Sequence, residues 1–242
     1  MIPYWMSRTQ LLLGDDLMIN LMHKNVLVVG LGGVGGICAE MIARAGVGKM
    51  TIVDGDGVDL SNCNRQIIAL QSNEKQLKAI LMAERLRDIN LNLDLTVLTE
   101  FIEADRIIEI VAGGNFDYVV DCIDTLSPKV CLIKAAVDNK IPIVSSFGAG
   151  GKMDPSQIRV ADIAESYKCK LARYVRKYLH KEGILTGVTV VFSPEEVDQA
   201  KIIVTEKAFP KKSIIGTISY MPAIFGCLTA SVVIRHLSDS NN

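Results

Sequence analysis

Residues 24–36 read Lys24-Asn25-Val26-Leu27-Val28-Val29-Gly30-Leu31-Gly32-Gly33-Val34-Gly35-Gly36. The first six form a short apolar, β-branched run, the pattern of a parallel strand buried on both faces. Val34, Ile37, Met41 and Ile42 then recur at helical spacing as far as Ala45, and Gly46 and Gly48 end the helix. Met50-Thr51-Ile52-Val53-Asp54 is the next strand. Strand, glycine turn, helix and strand make one βαβ unit. Glycines at such a turn let backbone approach phosphate closely, and the helix N-terminus supplies amides and dipole.

The same alternation continues outward. Asn73 and Gln76 have the spacing of a capping box and predict a helix to about Asn90, with Ala79, Met82, Ala83 and Leu86 as its apolar stripe. Strands are expected at residues 95–98, 118–122 and 141–145, with a short helix at 106–112. Ser127-Pro128 marks another helix start, Ser as N-cap and Pro in the first turn. Five alternations predict an α/β fold, a doubly wound Rossmann-like parallel sheet in the order 3-2-1-4-5. After Gly151 the pattern changes. Residues 158–160, 188–192 and 202–204 look like strands, antiparallel in part, around a helix at about 168–181, and a terminal apolar helix follows. With no linker or repeat, one domain is expected: an N-terminal arm over 1–24, a nucleotide-binding half over 25–150, and a substrate and dimerisation part over 151–242.

Composition narrows the class. Of 242 residues, 49% are hydrophobic, which excludes disordered and fibrous chains. The 26 basic and 27 acidic side chains give a net charge of −1, which argues against whole-molecule attraction to nucleic acid but leaves room for a local patch. Aromatics at 5% argue against a stacking platform for single strands. None of the six cysteines forms a C-x-x-C pair, so no structural zinc is expected. With no secretory segment at the start they read as reduced thiols of a cytoplasmic protein. Residues 213–234 carry no charge, but their helical part, taken as 223–237, is shorter than a membrane span. A buried helix and no membrane contact are expected, with Cys227 a small buried hydrophobe.

Asp54 ends the second strand 24 positions after Gly30, where an acid binds ribose hydroxyls. The long loop over 55–65 follows, and long ordered loops are usually functional. Asn62, Arg65 and Lys78 gather just beyond Asp54; amide and cationic groups there suit a triphosphate better than a dinucleotide. A nicotinamide-dependent oxidoreductase remains the rival from another class.

These residues carry a resemblance. Gly30-Leu31-Gly32-Gly33-Val34-Gly35, Asp54-Gly55-Asp56, Ser61-Asn62-Cys63-Asn64-Arg65-Gln66, Lys78 and Asp121-Cys122-Ile123-Asp124 are similar to the adenylating enzymes that activate ubiquitin-like proteins, whose bacterial relatives serve thiamine and molybdopterin synthesis. Residues 146–158, Leu171-Ala172-Arg173-Tyr174-Val175-Arg176 and Val191-Phe192-Ser193-Pro194-Glu195 resemble the branch that dehydrates threonylcarbamoyladenosine at position 37 of tRNA. The resemblance implies that Gly30, Gly32, Gly33 and Gly35 hold the ATP phosphates and Asp54 the ribose. It implies that Asn62, Arg65 and Lys78 grip the triphosphate and that Asp124 works with Mg2+ at the α-phosphate. Arg8 would reach the partner's site in a homodimer, making Arg8, Arg65, Lys78 and Asp124 the catalytic set. It leaves open a monovalent cation and a sulfur-relay partner. Activation of a ubiquitin-like sulfur carrier is the closer rival. Cys169-Lys170 stands where the branch often has Asp-Pro.

One basic concentration is left. Lys168, Lys170, Arg173, Arg176, Lys177, His180 and Lys181 share a helix, with Arg173, Lys177 and His180 on one face. Together with Lys211 and Lys212 they suggest a footprint for the tRNA backbone, although a charged run is most often a solvated face.

Overall fold

A computed structural model of the chain describes residues 2–198, 200, 202–204 and 213–239. In chain order the elements are α1 (Ser7–Leu13), α2 (Asp15–Leu21), β1 (Asn25–Val29), α3 (Gly35–Ala45), β2 (Lys49–Val53) and α4 (Lys78–Ile89). Next come β3 (Asp94–Leu98), α5 (Ala104–Gly113), β4 (Tyr118–Asp121), α6 (Leu126–Asp138), β5 (Ile143–Ser146) and β6 (Arg159–Asp162). The chain continues through α7 (Lys170–Lys181), β7 (Thr189–Phe192), β8 (Ile202–Val204), β9 (Ser213–Ile215) and α8 (Tyr220–Leu237).

Seven strands form one sheet in the order β3-β2-β1-β4-β5-β7-β6. The first five are parallel and lie as the alternation predicts. Beyond them β7 adds parallel to β5, and β6 pairs antiparallel with β7. β8 and β9 make a separate two-stranded pair. Both faces of the central strands are buried, which is why these strands are apolar at successive positions. Val26, Val28, Met50, Ile52, Val120 and Val144 face α3, α4 and α8. Leu27, Val29, Val53, Val119, Ile143 and Val190 face α5, α6 and α7.

Three of the departures from the sequence reading have a clear local reason. Asn73 does not open α4. Its Oδ1 accepts from the Leu70 amide at 2.9 Å and its Nδ2 donates to the Ile68 carbonyl at 2.8 Å, closing an earlier turn. The Lys78 amide instead donates to the Asp56 carbonyl at 3.0 Å, so the helix begins there. The N-cap of α6 is Thr125, and Ser127 and Pro128 fall inside its first turn, where the missing proline N–H is harmless. β4 stops at Asp121 because the Asp121 carboxylate accepts the Ile123 amide at 3.0 Å and turns the chain.

α8 is longer than the sequence suggests. It spans 18 residues and, among the described residues, is the one helix long and apolar enough to cross a membrane. Packing rather than length therefore decides its place. Met221, Phe225 and Val233 lie in the core, and a Cβ at Gly226 would sit 2.5 Å from the Val34 carbonyl oxygen. That close approach needs glycine and locks α8 to α3. Cys227 is exposed, against the expectation of a buried thiol.

Candidate functional site

β1, β2 and β4 end level with one another, since Val29 is in register with both Val53 and Asp121. The residues just past those ends form a crevice where the strand order reverses, the ligand position of open α/β sheets. Gly30 leaves β1 at a φ of +88°, and a Cβ there would meet the Cys122 carbonyl oxygen at 2.8 Å. The glycine turn and the loop leading to Asp124 are therefore in backbone contact. Asp124 itself is exposed, two residues beyond Cys122.

Asp54 organises the floor. Its Oδ2 accepts the Leu31 amide at 2.6 Å and its Oδ1 the Asp56 amide at 2.8 Å. Burial pushes its carboxyl above the ordinary range, against the pull of the Leu31 amide and nearby Lys78. Lys78 is the first residue of α4, and its Nζ lies 3.0 Å from Asp56 Oδ2, a pair in which the lysine is 6% and the aspartate 50% exposed. Asn62 is buried, and its Oδ1 accepts the Asp59 amide at 3.2 Å. Hydrogen bonds from Ser61 hold the exposed Asp59 carboxylate below its ordinary range.

Arg65 closes the next side. Its Nη1 donates to the Ser61 carbonyl and to Asn64 Oδ1, both at 2.8 Å. A Cβ at Gly33 would lie 3.1 Å from the Arg65 carbonyl oxygen and 2.9 Å from Pro222, so this loop and the start of α8 both abut the glycine turn. Asn64 Nδ2 donates to the Thr217 carbonyl at 2.9 Å. There a cavity of about 200 Å³ opens among Gly151, Lys152, Met153, Gly216, Thr217 and Ile218. A larger one, about 360 Å³, lies between α5 and β2–β3 around Lys49, Asp94 and Arg106, and none of the predicted site residues lines it.

The structure thus gathers Gly30, Gly32, Gly33, Gly35, Asp54, Asn62, Arg65, Lys78 and Asp124 around one crevice. Arg8 is not with them. Met6, two residues earlier, is the atom neighbour of Gly46 just past the end of α3, about 16 Å of helix from the glycine turn. Of the proposed tRNA contacts, Arg173 and Lys177 are exposed on α7. Arg176 is turned inward, donating to the carbonyl and hydroxyl of Ser166 and to the Ile163 carbonyl, so it braces the turn before α7. Lys211 and Lys212 lie outside the described residues. No group of three or more His, Cys, Asp or Glu that could hold a metal occurs among the described residues.

Two groups have no role in the sequence reading. Lys129, fully buried on α6, places Nζ 2.6 Å from Asp121 Oδ2, 3.1 Å from Ser145 Oγ and 2.9 Å from the Ser146 carbonyl oxygen. This pair ties the ends of β4 and β5 beneath the Asp124 loop. Gln66 is buried beside Gly32, and among the described residues its Oε1 meets no hydrogen-bond partner. A lysine directly before the apolar run Val130-Cys131-Leu132-Ile133 is the sequence signal for the first; the second closes the motif Ser61-Asn62-Cys63-Asn64-Arg65-Gln66.

The tRNA threonylcarbamoyladenosine dehydratase of Bacillus subtilis is 40% identical over 83% of this chain and 77% of its own length. The Escherichia coli protein of that name is 40% identical over 79% of this chain and 75% of its own length. The structure of E. coli TcdA, a tRNA N6-threonylcarbamoyladenosine dehydratase in complex with ATP, covers 96% of this chain and 92% of its own, with 35% identity and a TM-score of 0.84. Residues 6–242 match the ThiF family. With a family match across nearly its whole length and relatives of this identity, the chain belongs to the ThiF family, alongside its tRNA threonylcarbamoyladenosine dehydratases.

Proposed function

We propose that the protein is an ATP-dependent dehydratase that cyclises the threonylcarbamoyl group on adenosine 37 of tRNA by way of a carboxyl adenylate. The observation that carries this reading is 35% identity, over 96% of the chain, to a tRNA N6-threonylcarbamoyladenosine dehydratase solved in complex with ATP. A carboxylate is a poor electrophile. Attack of its oxygen on the α-phosphorus of ATP breaks the α–β anhydride, releases pyrophosphate and leaves a carboxyl–AMP anhydride. A nucleophile of the same side chain then attacks the activated carbonyl, expels AMP with the carboxyl oxygen, and loses its proton. The net change is loss of one water. Both reacting groups sit on one nucleoside, so proximity favours closure.

The residues' proposed work is binding and charge compensation. Amides of the glycine turn face the phosphates, and Asp54, already fixed by two amides, holds the ribose. Lys78 and Arg65 balance the β- and γ-charges, with Asn62 fixing their loop. Mg2+ suits the donor set here: Asp124 offers one carboxylate, and magnesium usually combines one or two carboxylates with substrate phosphates. It would supply Lewis-acid charge compensation at the α-phosphate. A monovalent cation remains part of the proposal only through the resemblance.

A homodimer completes the site. Arg8 is exposed on α1, remote from its own crevice, and shares that segment with Tyr4, Leu11 and Leu12, which are more than four-fifths exposed. Apolar side chains so exposed call for a covering surface. Mixing Arg8→Ala with Asp124→Ala chains tests this, because only the mixed dimer holds one intact site. Recovery to roughly a quarter of wild-type activity is expected from random pairing; no recovery would put Arg8 to use in its own chain or out of catalysis. With tRNA and ATP as substrates, the proposed compartment is the cytoplasm. A sulfur-relay protein would be an additional partner.

The direct test is mass spectrometry of tRNA nucleosides after incubation with ATP and magnesium. Wild type should convert threonylcarbamoyladenosine to a product lighter by one water with release of pyrophosphate, and Asp124→Ala should not. ADP formation would sink the adenylate, and adenylation of a small carrier protein without any tRNA product would favour the sulfur-carrier reading.

A further inference from the structure

α7 has an inner face of Ala172, Val175 and Leu179, all fully buried. Its outer face presents Lys170, Arg173, Lys177 and Lys181, all exposed, and the helix contains no acid. Arg173 with Lys177, and Lys177 with Lys181, are like charges four residues apart, an arrangement that weakens an isolated helix. An ordinary solvated face would intersperse acids at that spacing. Among these cations stand Tyr174 and Tyr178, one turn apart and each 44% exposed, with Lys181 Nζ 5.4 Å from the Tyr178 ring centre. Exposed aromatics gain little from burial and do not favour helix.

The helix has a definite direction relative to the crevice. Just before it, the Tyr167 ring packs edge-on against Phe192 at the end of β7, centres 5.7 Å apart, and Lys168 Nζ lies 3.1 Å from Glu196 beyond that strand. β7 is parallel to β5, so this is the crevice edge of the sheet. Just past the helix, Glu182 lies 3.7 Å from Lys134 in the later half of α6, which runs away from that edge. α7 therefore descends from the crevice rim for about 18 Å.

We propose that α7 is a track for single-stranded RNA, in which Tyr174 and Tyr178 stack on unpaired bases flanking the nucleoside held in the crevice while Lys170, Arg173, Lys177 and Lys181 contact successive phosphates. The inference rests on the tRNA reading above and adds base stacking to it. Unpaired bases stack on aromatic rings without regard to sequence, and neighbouring cations follow the backbone. Fluorescence anisotropy with an RNA stem-loop and a fully paired duplex of equal phosphate count tests the idea on the full-length protein. Tyr174→Ala/Tyr178→Ala should lose about tenfold affinity per ring for the stem-loop and little for the duplex, while the double Phe variant binds as wild type. The salt dependence should be unchanged in the tyrosine variants and flatter by about one unit for each of Lys170→Gln and Lys177→Gln. Nucleotide affinity, read separately, should not move. Equal stem-loop binding by the double Ala variant would overturn the stacking proposal and leave the tRNA reading standing, as would equal losses on both RNAs. Wild type that binds neither RNA would overturn both. Displacement of the stem-loop by polyglutamate at matching concentrations would overturn the proposal in favour of an acidic protein partner.

Discussion

Two lysine–aspartate pairs stand at the same edge of the sheet and differ in almost everything but composition. Lys129 and Asp121 are both fully buried, 2.6 Å apart, and the lysine also donates to Ser145 and to the Ser146 carbonyl. Lys78 and Asp56 are 3.0 Å apart, with the lysine 6% exposed and the aspartate 50%. In the first pair neither charge can leave, because an unpaired ion there has no water to turn to. In the second the aspartate is half solvated, so the lysine can exchange it for a phosphate. The first pair fixes the frame and the second is available for chemistry.

That contrast can be broken by experiment. The largest effect expected is on folding: Lys129→Met should cost about 3–5 kcal/mol by leaving Asp121 buried and unpaired, read as a lowered denaturation midpoint. Adding Asp121→Asn should recover part of the loss, and additivity of the two would disprove the coupling. Lys78→Ala should instead lower kcat/KM by roughly a hundred- to a thousandfold while stability changes by about 1 kcal/mol or less. A Lys78→Ala protein that unfolds like the Lys129 variant would erase the distinction. Gly30→Ala is intermediate, since a side chain there meets the Cys122 carbonyl and the positive φ; about 1–3 kcal/mol of strain is expected, together with weaker ATP binding.

The smallest effect concerns Glu40, a third ion cluster, 4% exposed between half-exposed Arg85 and Arg44. Burial pushes its carboxyl up, but hydrogen bonds from the two arginines prevail and hold it below the ordinary value of 4.5. A depressed acid contributes stability above its unfolded pKa and loses it as pH falls through the folded one. Glu40→Gln should therefore be less stable by about 1 kcal/mol at pH 7. The gap should close as pH drops below 4.5, and a gap independent of pH would mean the glutamate acts by packing.

What the sequence reveals and conceals follows the range of the forces involved. The order of the five parallel strands is legible because each buried strand must be apolar at consecutive positions, a local pattern. The positions of the glycines, Asp54 and Asp124 are legible because they follow the ends of β1, β2 and β4, and strand ends converge once the order is known. Asn73 misleads because a side chain that closes one turn resembles one that caps the next. Lys129 escapes because its partners, Asp121 and Ser145, lie on strands reached only after folding, and Arg176 reads as a surface cation until Ser166 meets it. The tyrosines are hidden by averaging. Aromatics are 5% of the chain, yet three of its six tyrosines fall between residues 167 and 178.

The junction of α8 with the glycine turn bears on the order in which the protein is made. Pro222 abuts Gly33 and Gly226 abuts Val34, so the last helix of the chain roofs the first turn. During vectorial synthesis the turn emerges long before its roof, leaving Val34 and Ile37 uncovered on the nascent chain. A fully packed glycine turn is thereby a property of the whole polypeptide and not of the βαβ unit that carries the glycines.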